Sequence, residues 1–165
     1  EYPTMTSYLY RMPSGIPGMV SREENKTIET VPFDSAAPFS AFGLFGKIVS
    51  GKLDPVGAGD VATSIYGLLV KPFPANSSQE VLGVAVPPTS GPANVLRRGY
   101  ATVQLNAGTA ALSGAVYVRV ANAAAGKPIG GIEAAADSTN TIVVANCTFM
   151  GPADATGNVE IAYNI

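Results

Sequence analysis

Histidine and tryptophan are absent from these 165 residues, and there is one cysteine, Cys147. Each absence closes a route. Without histidine there is no Ser-His-Asp triad, and the commonest general base and metal ligand are missing. A single cysteine excludes an internal disulfide and a cysteine-based zinc site. Charge is scarce as well: Lys and Arg number 10 and Asp and Glu 12, together 13% of the chain, for a net charge of −2. The only adjacent basic pair is Arg97-Arg98, so the basic footprint of a nucleic-acid binder is missing and no nucleic-acid partner is expected. Long apolar runs are lacking too. The charge-free stretch 99–118 is broken by Gln104, Asn106, Gly108, Ser113 and Gly114, which suits two strands around a turn better than a lipid-facing helix. No membrane partner is expected. The start Glu1-Tyr2-Pro3-Thr4 shows no basic region ahead of an apolar one, and it lacks Met, as processing or an upstream start would leave it.

What the chain does have is punctuation: 18 glycines and 13 prolines leave few breaker-free windows long enough for a helix. Between them lie short runs rich in Val, Ile, Tyr and Thr, at 42–49, 63–70, 81–86, 95–105, 115–121, 141–150 and 158–165. Alternation is clearest at the end, where Val159, Ile161, Tyr163 and Ile165 share one face against Glu160, Ala162 and Asn164. Val116, Val118 and Val120 repeat it against Tyr117 and Arg119. A period of two in many short strands predicts an all-β fold, an antiparallel β-sandwich or barrel, jelly-roll-like. The Ala-rich stretches 107–111 and 121–125 are too short to nucleate helices, and residues 130–136 have room for one helical turn.

The first forty residues differ from the rest. Pro3, Pro13, Pro17, Pro32 and Pro38 oppose regular structure, yet Tyr2, Tyr8, Leu9, Tyr10, Met12, Ile16 and Met19 are too apolar for a plain disordered tail. Residues 1–40 therefore read as an extended N-terminal arm lying on another surface, and residues 41–165 as a single β domain.

No motif carries chemistry. Gly57-Ala58-Gly59-Asp60-Val61-Ala62 matches a dinucleotide fingerprint in letters, with Glu80 near the ribose-binding spacing, but Asp54-Pro55 precedes it and Pro72 and Pro74 truncate any following helix. A glycine-rich turn is the expectation. Asp54 and Asp60 fit no calcium-loop spacing. Cys147 sits in an apolar run and is expected to pack as a small hydrophobe. The sequons at Asn25, Asn76 and Asn146 are unremarkable in a Ser/Thr-rich chain. No enzymatic activity, no cofactor and no metal are expected.

Several blocks taken in order resemble the structural cement, or head decoration, proteins of tailed bacteriophages. They are Pro38-Phe39 through Gly43, Pro55-Val56, Ile65-Tyr66-Gly67-Leu68-Leu69-Val70, Val95-Leu96-Arg97-Arg98-Gly99-Tyr100-Ala101-Thr102-Val103, Gly114-Ala115-Val116-Tyr117-Val118-Arg119, and Cys147-Thr148-Phe149 with Gly157-Asn158-Val159-Glu160-Ile161. Together they span residues 38–165. The resemblance implies a β-rich protein bound to the outside of an icosahedral shell, without catalysis. Its partners would be the major capsid protein and further copies of itself, as a homotrimer in preference to a homodimer. Low charge and an apolar arm suit attachment through area rather than a pocket. Candidate contacts are Tyr2, Tyr8, Leu9, Tyr10, Met12, Ile16 and Met19 of the arm, with Arg97, Arg98 and Arg119 facing an acidic shell surface. Solvated strand-edge charges are the equal alternative for the arginines. The rival class is a carbohydrate-binding β-sandwich, weakened by the missing tryptophan.

Overall fold

A computed structural model describes residues 14–72 and 86–165; within them the chain forms nine strands and two 3-10 turns and no α-helix. The strands are β1 (Val20–Pro32), β2 (Phe45–Val49), β3 (Lys52–Pro55), β4 (Gly67–Val70), β5 (Pro92–Ala107), β6 (Ala115–Arg119), β7 (Ile132–Glu133), β8 (Thr141–Phe149) and β9 (Asn158–Tyr163). The expected all-β class is what the chain adopts, in its barrel form.

The second half of β5 pairs with β9 from Gly99↔Tyr163 to Gln104↔Asn158, and β9 continues through β8 and β6 to β7. β7 returns to β5 in parallel, Leu105 opposite Ile132, and closes a barrel. Alternation fills its interior. Val116, Val118, Val159 and Ile161 are fully buried with Ala101, Val103, Ile132 and Phe149, and Tyr163 packs edge-on to Phe45 at 5.4 Å.

The first half of β5 belongs to a second closure. It pairs with β1 on one side and β4 on the other, β4 leads to β2 and β3, and Phe33 just beyond β1 bridges to Leu53 of β3. Phe33, Phe39, Phe42, Leu44, Leu53, Leu69, Ala93 and Val95 form a smaller core there.

One strand serves both cores because its alternation slips once. Ala93 and Val95 face the smaller core and Leu96 the barrel core; beyond Arg97-Arg98-Gly99, the odd-numbered Ala101 and Val103 face the barrel core instead. Gly99 allows the slip with φ of +137°, and β1 answers it with residues 23–26 looping out opposite that one glycine. A Cβ at Gly99 would lie 3.2 Å from both Lys26 Cα and Leu96 Cδ1.

Elsewhere the strands follow the expected runs, β5 reaching past its run at both ends and the others trimmed. The run 63–70 begins as a 3-10 turn, Ala62–Ser64, and residues 81–85 lie outside the described residues. The helical turn expected at 130–136 is instead β7, because Ile132 is held between Leu105 and Val118. Strands β1 and β3 were not among the expected runs.

Candidate interaction surface

Tyr2, Tyr8, Leu9, Tyr10 and Met12 lie outside the described residues, but the chain that follows them is firmly seated. The Ser14 amide donates to Asp154 Oδ2 at 3.0 Å, the Thr102 hydroxyl donates to the Ser14 carbonyl, and Asn158 Nδ2 donates to the Gly15 carbonyl at 2.9 Å. Gly18 N–H then donates to the Thr102 carbonyl at 2.8 Å. Asp154 is the hub. Its burial opposes ionisation, but the Thr156 hydroxyl and the amides of Asn158, Ser14 and Thr156 outweigh that and hold the carboxyl at about 2. Ile16 is half-buried, and Met19 is exposed.

The arginines nominated by sequence separate into three situations. Arg97 lies 3.8 Å over the Tyr66 ring and 3.5 Å from the Glu29 carboxylate, and the Tyr66 hydroxyl donates to that same carboxylate. That hydrogen bond pushes the Tyr66 phenol up. The trio staples β1 to the segment ahead of β4. Arg22, not singled out from sequence, does the same further along: it pairs with Glu160 at 2.6 Å and lies 4.2 Å over Tyr100. Arg119 is internal, with 2% of its side chain accessible. It shares the outer face of its strand with Tyr117, but Asp137 and the carbonyls of Ala121 and Asn122 close over it. Its guanidinium meets Glu133 and Asp137, each at 2.6 Å, and both contacts hold it protonated. That leaves Arg119 no free surface for a shell contact within this chain. Arg98 is exposed, and among the described residues its side chain makes no hydrogen bond or ion pair.

The fingerprint-like turn is occupied by its own groups. Asp60 accepts from the Gly57 amide at 2.6 Å and from Lys47 at 2.8 Å, and Gly59 takes φ of +87°. A shallow depression of about 570 Å³ lies beside it, rimmed by Lys47, Asp60, Tyr66 and Arg97. Asp54 points elsewhere; burial first, then the nearby Asp34 charge, pushes its carboxyl up. Among the described residues no three His, Cys, Asp or Glu side chains converge as a metal site. Cys147 is buried, and burial pushes its thiol up, away from reactivity.

The barrel's opposite side is unlike the β1 side. Where β6 and β8 pair, Tyr117 stands opposite Val143, and Ala115 opposite Thr148. Because Val116, Val118 and Val144 point inward, Tyr117 and Val143 point out; Val143 is 46% exposed, and Leu112 in the preceding turn is 68% exposed. No charged residue lies in 106–118 or 138–152, so apart from the Arg119–Asp137 pair at its end this face carries no charge.

The shape of the site therefore favours broad contact over a pocket. Residues 5–163 match the profile of the XM1 gp53 minor capsid protein family. A chain in the solved structure described as "The capsid of Myoviridae Phage XM1" shares the fold with a TM-score of 0.69 at 18% identity, over 96% of this chain and 95% of that one. No curated protein matches. With the match running almost from end to end and the barrel shared throughout, this chain belongs to the XM1 gp53 minor capsid protein family, a family of phage capsid components.

Proposed function

We propose that the chain is a cement protein that binds the outside of the phage shell, contacts the major capsid protein, and stabilises the junctions between capsid subunits. It works as a homo-oligomer, a homotrimer in preference to a homodimer, and performs no catalytic step. The observation that supports this most directly is that the family match starts at residue 5, taking in the apolar N-terminal segment together with the barrel. Seating of Ser14, Gly15 and Gly18 on β5, β9 and the β8–β9 loop gives that segment a fixed root. Tyr2, Tyr8, Leu9, Tyr10 and Met12 ahead of it, with Ile16 and Met19 at it, are the anchors. Burying one large apolar side chain contributes roughly 1.5–3 kcal/mol, so three anchors, buried against the shell or a neighbouring copy, decide whether a copy stays in place. Many such copies add up by mass action. Arg98, on the slip of β5 and without an ion pair among the described residues, is the polar contact, aimed at an acidic patch of the shell.

The test is co-sedimentation of the full chain with phage heads that lack it. Stoichiometric binding that raises the temperature at which heads release DNA is the expected result; no binding, or unchanged heat resistance, overturns the reading. Deleting residues 1–12 leaves Ser14 and the barrel in place, so the circular dichroism spectrum should be unchanged while head binding weakens at least tenfold, the factor that one lost anchor carries. Undiminished binding of the truncated chain would remove the segment from the attachment.

A further inference from the structure

The β6–β8 face has the wrong dimensions for a globular partner. Two strands spaced about 4.8 Å apart, β6 with 5 residues and β8 with 9, share a strip roughly 10 Å wide and about 17 Å long. That is well short of the roughly 800 Å² per partner that a stable interface between globular bodies buries. A strip of that shape fits one extended segment laid along it. Leu112, Tyr117 and Val143 would line its floor, with Ala115 and Ala145 leaving room between them.

This chain carries a segment of matching chemistry. Residues 1–13 contain Tyr2, Met5, Tyr8, Leu9, Tyr10 and Met12 and only two charges, Glu1 and Arg11. Fully extended, thirteen residues span up to about 45 Å, enough to leave the root at Ser14 and cover a strip of that length on a second molecule. We propose that the β6–β8 face receives residues 1–13 of a neighbouring copy of this chain. The inference rests on the homo-oligomer proposed above and names the surfaces that join it. One donor segment and one acceptor face per copy make a head-to-tail interface, which closes on itself as a ring of three without requiring the two surfaces to be self-complementary. The ions that border the acceptor face, Arg119 and Asp137, are paired with each other, so the incoming segment leaves neither unpaired.

The experiment uses two full-length chains with different tags, one Leu9→Cys and the other Val143→Cys, mixed and oxidised in solution and again on decorated heads. Native Cys147 is buried and stays silent. The expected product is a disulfide joining the two different chains, in excess over either like-with-like product. Adding Tyr117→Asp to the acceptor chain should lower its yield about tenfold, and Tyr117→Phe should not. A single chain carrying both cysteines that closes on itself at a yield independent of dilution would overturn the proposal in favour of the chain's own face. No mixed product in either setting overturns it too. If heads still bind the full chain in that case, only this inference fails; if they do not bind it, the cement reading fails with it.

Discussion

Strand β6 places Val116 and Val118 in the barrel interior with no accessible surface, whereas strand β1 leaves residues 21–30 in solvent on both faces. Both are strands in the same sheet. β6 is held by what its side chains bury; β1 is held by its ladder to β5 and by two arginine staples, Arg22 to Glu160 and Tyr100, and Arg97 to Glu29 and Tyr66. The difference shows where stability resides and where adaptability does. Losses inside the barrel cost the whole domain, and losses along β1 should loosen that strand alone.

The largest expected effect is at the barrel's closed end. Arg119→Met leaves Glu133 buried without its partner, which should lower stability to urea by about 3–5 kcal/mol. Replacing Glu133 by Met as well should recover part of the loss. A single-variant loss below about 1 kcal/mol would show that the network does not hold the barrel end.

Next is Gly99→Ala. The residue must keep φ near +137° and crowd Lys26, so about 1–3 kcal/mol is expected, with hydrogen exchange accelerating in β1 before β8. Equal acceleration in both strands would erase the comparison.

Acid comes third. Asp154 has its carboxyl held at about 2, below the ordinary aspartate value near 3.9, so its contribution is fully present above pH ~4 and is lost as pH falls toward 2. Allowing for its partial exposure, that is about 1–2 kcal/mol. Asp154→Asn should flatten this part of the pH–stability curve and speed exchange of the Ser14 amide. An unchanged acid limb would show that the root is held by Thr102 and Asn158 instead.

The smallest effect is Arg22→Ala, under about 1 kcal/mol because the pair with Glu160 is open to solvent, yet visible as faster exchange at the start of β1.

The sequence made the barrel strands legible because a core imposes a period of two, and Val116-x-Val118 and Val159-x-Ile161-x-Tyr163 carry it. β1 was illegible for the same reason: a strand with no buried face writes no period, and Ser21 through Lys26 looks like a solvated loop. β7 has 2 residues, and its conformation is set by Leu105 and Val118, far away in the chain. Arg119 was placed on the correct outward face, but nothing local announces that Asp137 folds over it. The slip at Gly99 did leave a trace. Val95 and Leu96 are adjacent apolar residues facing opposite cores, and the run resumes at Ala101 in the other phase. Asp154, Thr156 and Asn158 likewise have the spacing of a side chain that caps its own loop.

A sheet edge is a template that recruits further strands, and wherever copies crowd together, as in a capsid, an unguarded edge invites open-ended polymerisation. The barrel has no edge to offer. β1 pairs along its length only with β5 among the described residues, but residues 23–26 break its line, and Arg22, Glu23, Glu24, Lys26 and Glu29 surround the break with charge. The same four-residue excursion that lets β5 serve two cores keeps the outermost strand from propagating into a neighbour, so association is left to the contacts that the molecule is shaped to make.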